Sequence, residues 1–484
     1  MLHKQDSSLC MPSVWPVACH TDQVGSGSTF IAIQGMKSNG ADHIITALRK
    51  GATTIVVATD AVLRDEIEQK IAETGAKLMR VEDTRLALAQ LSAQAAGNPA
   101  DQLKLIAITG TKGKTTSSFL LTHLLESAGY NVALLSTVSN RINGVVLPAS
   151  LTTAQPDYLH QFFKLCVEQG VTHVVMEVAA QAVTLHRVHA LLYDALLFTN
   201  FSQEHGEFYT SMIDYFAAKT ALFDQRKPGA PALVNGDDAA CAPLRNTYAN
   251  CFSMRMHTAS DSGSAFVGTF VSSRSGTVQG SVDCFGTPYT ITCPALVGNF
   301  NAYNSMGVTG ITYFLGLTPK HVQQGFATFS GVPGRLAHYP LPNGASCYID
   351  YAHNPSSYEA VLSTLRTLTD HLIVIFGAGG ERDKAKRPVM GAIAAEYASL
   401  VVLTSDNPRT EQPEDIIEDI CAGIPVGKQQ NVIRELDREQ AIKKAYSLSH
   451  RDSVLVILGK GTDEYQIVGT TKRFFSEATI VRSL

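Results

Sequence analysis

Short apolar runs alternate with stretches of helical periodicity along most of the chain. TFIAIQG (29–35) and ATTIVVAT (52–59) come first, followed by LKLIAITG (103–110), Val174–Val178, Ala195–Asn200 and Ala232–Asn235. After residue 333 the runs CYIDY, LIVIFG, SLVVLTS and SVLVILG recur with helix-like segments between them. Runs of this kind read as strands buried on both faces, and their alternation with helices predicts α/β architecture with parallel sheets. The stretch GTFVSSRSGTVQGSVDCFGTPYTIT (268–292) departs from this rhythm. Its turn-rich alternation predicts antiparallel hairpins.

Punctuation between the runs sets expected boundaries. The small, polar segment AQAAGNPADQ (93–102) and the turn Gly331-Val-Pro-Gly-Arg335 predict three domains: 1–99, 100–332 and 333–484. A length of 484 residues suits such a division, and an apolar content of 45% is enough for a core in each. In parallel sheets of this type ligands sit beyond the carboxyl ends of the strands. The chemistry is therefore sought there.

The first candidate follows the run at 103–109. Gly110-Thr111-Lys112-Gly113-Lys114-Thr115-Thr116 leads into SSFLLTHLLESAGY, a helix expected to end at Ser127 or Ala128 with Gly129 as its stop. Glycines let backbone N–H groups close on phosphate oxygens, and the helix N-terminus adds a positive dipole end. Lys114 suits β/γ-phosphate charge and Thr115 suits Mg²⁺. Ile108 stands where the strict phosphate-loop pattern has its first glycine.

From this loop onward the chain resembles the Mur ligase family, and within it the members that add the third amino acid of the peptidoglycan stem. The resemblance runs through Thr152-Thr153, Met176-Glu177-Val178, the HRV containing Arg187, the block FTNFSQEHGEFY with His205, and AAKTALF with Lys219. It continues through Gly298-Asn-Phe-Asn301-Ala-Tyr-Asn304, Arg335, Asp350-Tyr-Ala-His353 and Gly377-Ala-Gly-Gly-Glu-Arg382-Asp383. It closes on Asp406-Asn407-Pro-Arg409 and Gly459-Lys-Gly-Thr-Asp463.

The resemblance implies a three-domain fold: an N-terminal UDP-substrate domain, a central P-loop ATPase domain and a C-terminal Rossmann-like domain for the amino acid. It implies ATP and Mg²⁺, with Thr115, Glu177, His205 and a carbamylated Lys219 at the metal, and with Lys114, Glu177, His205 and Lys219 as catalytic. Gly110 to Thr116, Asn301, Asn304, Arg335, Asp350 and His353 are expected at the nucleotide. Thr152, Thr153, Arg187, Arg382, Asp406, Asn407, Arg409, Gly459 and Asp463 are expected at the other substrates. A second arginine suits an amine with a distal carboxylate, because guanidinium binds carboxylate bidentately. The implied reaction adds meso-diaminopimelate to UDP-N-acetylmuramoyl-L-alanyl-D-glutamate through an acyl phosphate. The same reaction with L-lysine, or with a different acid and amine, is the alternative. In the first domain the family's D-S-R-x-V stands as His20-Thr21-Asp22-Gln23-Val24.

Charge and cysteine usage narrow the setting. A formal net charge of −4 gives no electrostatic reason for a nucleic-acid or membrane partner, which leaves small-molecule substrates. The nine cysteines include no C-x-x-C pair, which suits free thiols in a reducing cytosol. No signal-like leader and no membrane-length apolar run is seen. A cytoplasmic monomer is expected.

Overall fold

The strand Lys104–Thr109 is the centre of the largest sheet, and its residues from Leu105 to Thr109 are all buried. A computed structural model describes residues 9–35, 38–202, 208–257, 265–271 and 276–484. The chain divides into two compact units. The first holds 1–268, 282–289 and 304–325; the second holds 269–281, 290–303 and 326–484.

The first unit begins with a four-stranded parallel sheet, in the order Val17–Ala18, Thr29–Ile31, Thr54–Ala58, Lys77–Val81. Alternate strand residues face opposite sides of a sheet. Ala18, Phe30, Ile55 and Val57 pack with Ile44, Leu48, Ile67 and Ile71 on one face, while Val17, Ile31 and Val56 meet Leu88 on the other. The helix Thr84–Ala96 on that second face is capped by Asp83, whose carboxylate accepts from Arg85 N and Leu86 N. Gly97, at a φ of 81°, ends it.

Nine strands of the eleven-stranded large sheet run Phe266–Val271, Cys251–Met256, Ala232–Asn235, Ala195–Phe198, Lys104–Thr109, His173–Glu177, Val132–Leu135, Asn140–Ile142, Val145–Leu147, with Thr277–Cys284 and then Thr287–Val297 beyond the first. Pairings are parallel as far as Val132–Leu135 and antiparallel in the last two. Register places Ile108 opposite Glu177 and Thr109 opposite Phe198, so three strands end at one level. The hairpin expected after residue 268 is present. Phe285 and Gly286, at φ 52° and 85°, form the two-residue turn between Thr277–Cys284 and Thr287–Val297. Two positive φ values in a row are what a type I′ hairpin turn requires.

Two buried histidines in this unit predict an acid-sensitive fold. Burial lowers His160 and His173 from 6.5 to about 4 each. Between those values the unfolded chain binds protons that the folded chain does not, so stability is complete above pH 6.5 and falls as pH drops toward 4. Denaturant midpoints compared at about pH 7 and about pH 4.5 should show this loss. His160→Phe, which keeps a ring against Phe163, should shrink it. An unchanged difference in that variant would remove His160 from the account.

The second unit contains a six-stranded sheet ordered Ala337–Pro340, Ser346–Asp350, Ser453–Leu458, His371–Phe376, Leu400–Leu403, Val432–Arg434. Only the first pairing is antiparallel. One face packs on the helices Pro355–Arg366, Lys386–Tyr397 and Pro413–Cys421, the other on Arg438–Ser447 and Glu477–Arg482. Asp350 is level with Leu458, and Phe376 with Leu403, so the loops after these strands share one end of the sheet. A separate hairpin, Tyr465–Val468 with Thr471–Phe474, follows. Among the described residues no helix is long and apolar enough to cross a membrane.

Candidate active site

The loop from Gly110 to Thr116 leaves the central strand and enters the helix Lys114–Ser127, which ends where its sequence suggested. Two of its positions admit only glycine. Gly110 has φ 134°, and a Cβ there would lie 2.0 Å from Thr199 Oγ1; Gly113 has φ 83°, and a Cβ would lie 2.3 Å from Asn304 Oδ1. Ile108 breaks the strict pattern for a visible reason. The strand simply continues through it, paired with Glu177 and Leu197, and the tight turn begins at Gly110.

Asn200 straps this loop. Its backbone carbonyl accepts from Thr111 N at 2.8 Å, its Oδ1 accepts from Lys112 N, and its Nδ2 donates to Lys112 O. Thr199 Oγ1 donates to Lys112 O at 2.6 Å. Lys114 Nζ folds back on Gly110 O and Thr111 O, both at 2.9 Å. Thr116 is buried in the first turn of the helix. Sequence reading did not place Asn200 in the site, although the F-T-N run that carries it stood in a quoted block.

Glu177 is fully buried at the end of its strand, yet its carboxylate is met by polar groups on all sides. Thr115 Oγ1 donates to Oε2 at 3.0 Å, Thr137 N donates to Oε1 at 3.0 Å, and the Thr137 hydroxyl lies 3.2 Å from Oε2. That hydroxyl also lies 3.0 Å from Thr152 Oγ1. Thr153 Oγ1 donates to Glu177 O and accepts from Ala179 N, and its own carbonyl accepts from Arg187 Nη1. Thr115, Thr152, Thr153, Glu177 and Arg187 thus form one connected group. Lys219 is 1% exposed and donates to Gly110 O at 2.8 Å, under the ring of Tyr215. His205 lies outside the described residues.

Arg187 brings in a residue that sequence reading passed over. Its buried Nε has no hydrogen-bond partner, and its pKa is lowered by burial and then by the nearby Arg85. Their neighbours also meet, His186 Nε2 and Asp83 Oδ2 being 3.5 Å apart. A buried guanidinium with an orphaned N–H and a second arginine near enough to lower its pKa suit an anionic group.

In the second unit Arg335 lies over the ring of Tyr351 at 5.0 Å. Beside it, the buried Asp350 carboxylate accepts from Leu336 N and Ala352 N. Burial raises the Asp350 pKa, and Arg335 works against that shift. His353 Nδ1 is 2.9 Å from Tyr351 O, and its carbonyl accepts from Lys386 Nζ. Asn301 also belongs to this unit and donates to Val297 O, whereas Asn304 belongs to the first.

The loops after Phe376, Leu403 and Leu458 converge. A Cβ on Gly379 would lie 3.2 Å from Arg409 Nη1 and 3.5 Å from Arg382 Cγ, so both arginines flank that glycine. Asp406 and Asn407 meet a buried lysine. Both side chains face inward to Lys460, at 2.9 and 3.1 Å. A Cβ on Gly459, whose φ is 114°, would lie 3.1 Å from Asp406 Oδ2. Burial raises the Asp463 pKa, opposed by Lys460.

Beneath these loops are ion pairs that sequence reading missed. Arg387 is fully buried and donates to both oxygens of Glu411, to Asp419 and to Gly379 O; it is the main cause of a Glu411 pKa held down at about 2. Arg438 donates to Glu477 at 2.7 Å, to Leu458 O and to Ser405 O.

Known proteins can now be set beside this geometry. Residues 17–96 match the Mur ligase family catalytic domain, 108–312 the Mur ligase middle domain, and 334–461 the Mur ligase glutamate ligase domain. The UDP-N-acetylmuramoyl-L-alanyl-D-glutamate–2,6-diaminopimelate ligase of Clostridium perfringens is 34% identical over 465 residues, covering 95% of this chain and 92% of that one. The chain belongs to the Mur ligase family. The similarly named ligase of Aquifex aeolicus is 34% identical over 481 residues, covering 99% and 95%. A solved structure of a UDP-N-acetylmuramoyl-L-alanyl-D-glutamate–2,6-diaminopimelate ligase superposes with a TM-score of 0.66 at 25% identity, covering 97% of this chain and 94% of that one. MurF of Thermotoga maritima, solved with ADP, gives 0.64 at 19% identity over 92% and 94%, and so shares the fold. The multi-domain α/β architecture is that of a Mur ligase, and ATP binding follows from membership of the family.

Proposed function

We propose that this chain is an ATP-dependent ligase that adds diaminopimelate to UDP-N-acetylmuramoyl-L-alanyl-D-glutamate in peptidoglycan synthesis. The observation that carries this reading is similarity along nearly the whole chain to ligases of that name. The converging Arg382 and Arg409 support it, since the incoming amine bears carboxylates at both ends. By the same reading, residues 1–99 bind the UDP end, 100–332 form a P-loop ATPase domain and 333–484 a Rossmann-like domain for the amine. The meso isomer is the form proposed.

In this mechanism the γ-phosphoryl group moves to the free carboxylate of the dipeptide, giving ADP and an acyl phosphate. The amine then attacks the acyl carbon, the new C–N bond forms, and phosphate leaves with its oxygen. The loop's N–H groups and Lys114 hold the phosphates in line. Arg335 is assigned to the transferred charge, with Asp350 fixing the turn beside it. Arg187 and Arg85 take an anionic group of the dipeptide, and Thr152 and Thr153 line its approach. Asn301 and Asn304 are assigned to the adenine, and His353 to the nucleotide.

The donors around Glu177 fit magnesium, since a buried carboxylate and the Thr115 hydroxyl are hard oxygen ligands. By the same reading Lys219, as a carbamate, and His205 would supply further ligands. Addition of CO₂ to Lys219 forms an N–C bond, and loss of two protons turns the ammonium into a carboxylate. Bound there, the ion would neutralise phosphate charge.

The test is phosphate release from ATP with magnesium and the UDP-dipeptide, comparing diaminopimelate with L-lysine. Release that needs the dipeptide and prefers diaminopimelate is expected. Preference for lysine would keep the chemistry and overturn the amine. For Arg409→Ala the KM for diaminopimelate should rise on the order of 10- to 100-fold, as loss of a charged hydrogen-bond pair implies, with the KM for ATP unchanged.

A further inference from the structure

We propose that Lys460 and the hairpin Tyr465–Phe474 set the selectivity for the incoming amine by holding Arg409 in a left-handed backbone conformation. The inference rests on the reading of Arg409 as the group that meets the distal carboxylate.

Arg409 has φ 52°. A long side chain adopts that region at a cost, and such residues persist only where their surroundings over-determine them. Here the hairpin does so. Arg409 N donates to Ile467 O at 3.2 Å, Arg409 O accepts from Gly469 N at 2.7 Å, and Arg409 forms a bridge with Val468. Both backbone polar groups of Arg409 are therefore spent on the tip of the hairpin.

The hairpin is fixed in turn by Lys460. This side chain is 1% exposed. An ammonium has three N–H groups. Lys460 Nζ donates to Asn407 Oδ1 at 3.1 Å and to Tyr465 O at 2.8 Å, and forms an ion pair with Asp406, whose Oδ1 lies 2.9 Å away. Asn407 Oδ1 also accepts from Ile467 N at 2.9 Å. One buried cation thus ties the turn before Arg409 to the start of the strand that grips it. At 1% exposed, Lys460 acts through these partners, which makes it a positioning residue.

The consequence appears at the guanidinium. With its backbone turned this way, Arg409 Nη1 reaches Gly380 O at 2.5 Å and lies beside Gly379 opposite Arg382. In the right-handed region the side chain would leave from a different direction and that pairing would be lost. Discrimination for a distal carboxylate therefore depends on a lysine two loops away.

Lys460→Met tests this. The KM for diaminopimelate should rise more than tenfold and the preference for diaminopimelate over L-lysine should fall by a similar factor, with the KM values for ATP and the UDP-dipeptide unchanged. Where the Asp406 carboxylate left without its counter-ion keeps that variant from folding, Lys460→Arg serves. It keeps the charge but cannot meet the three acceptors from one atom, and should show the same selective loss at smaller size. Arg409→Ala is measured alongside. If Arg409→Ala leaves the preference intact, the reading of Arg409 falls. If Arg409→Ala abolishes the preference while the Lys460 variants retain it, or shift all three KM values together, the positioning role is overturned.

Discussion

Lys114→Ala should abolish nucleotide-dependent phosphate release and leave the protein folded. The side chain donates to two carbonyls of its own loop. Such bonds contribute about 1 kcal/mol each. The loop does not depend on them, because Thr199 and Asn200 hold its backbone from the neighbouring strand end. What the lysine supplies is positive charge at the mouth of a helix that already presents N–H groups. Removing such a group from a phosphoryl-transfer site costs on the order of 1,000-fold in rate. Phosphate release and circular dichroism of the same preparation settle it. Turnover within about tenfold of the parent would take the loop out of the mechanism.

Lys219→Ala should lower turnover by about 100-fold or more, and short carboxylates such as formate or acetate should restore part of it. The argument is electrostatic. A fully buried ammonium that donates to a loop carbonyl is an expensive group to keep unless it serves a purpose. As a carbamate it brings a carboxylate to the loop that Glu177 approaches from the other side, through Thr115. Alanine leaves both a space and a missing anion, and a free carboxylate can fill each. Full activity in the variant excludes the carbamate. Loss without rescue assigns the lysine a packing role.

Much of this was legible from the sequence. The strands of both large sheets were visible because burial on two faces leaves no polar positions, as in Leu105–Ile108 and Val454–Leu458. The loop after Thr109 was visible because its glycines are required by close approach to Thr199 and Asn304. The supporting ion pairs were not. Nothing next to Arg387, Arg438 or Lys460 in the sequence names their partners. Their burial is conferred by partners far along the chain, such as Glu477, 39 residues beyond Arg438. Nor did the motif containing Arg409 disclose its left-handed backbone. That conformation comes from a hairpin more than 50 residues downstream, and neither arginine nor proline at 408 asks for it locally. The inward orientation of Asp406 and Asn407 has the same origin.

The pair between Arg438 and Glu477 changes how the last helix should be regarded. Glu477–Arg482 carries none of the residues assigned to substrate, yet its first carboxylate holds the guanidinium that grips Leu458 O and Ser405 O, where two of the substrate-facing loops begin. Trimming the chain before Glu477 would leave a buried cation uncompensated at the root of both loops. For anyone engineering this enzyme, the helix Glu477–Arg482 is to be kept whole, because its first carboxylate steadies the arginine at the root of both loops.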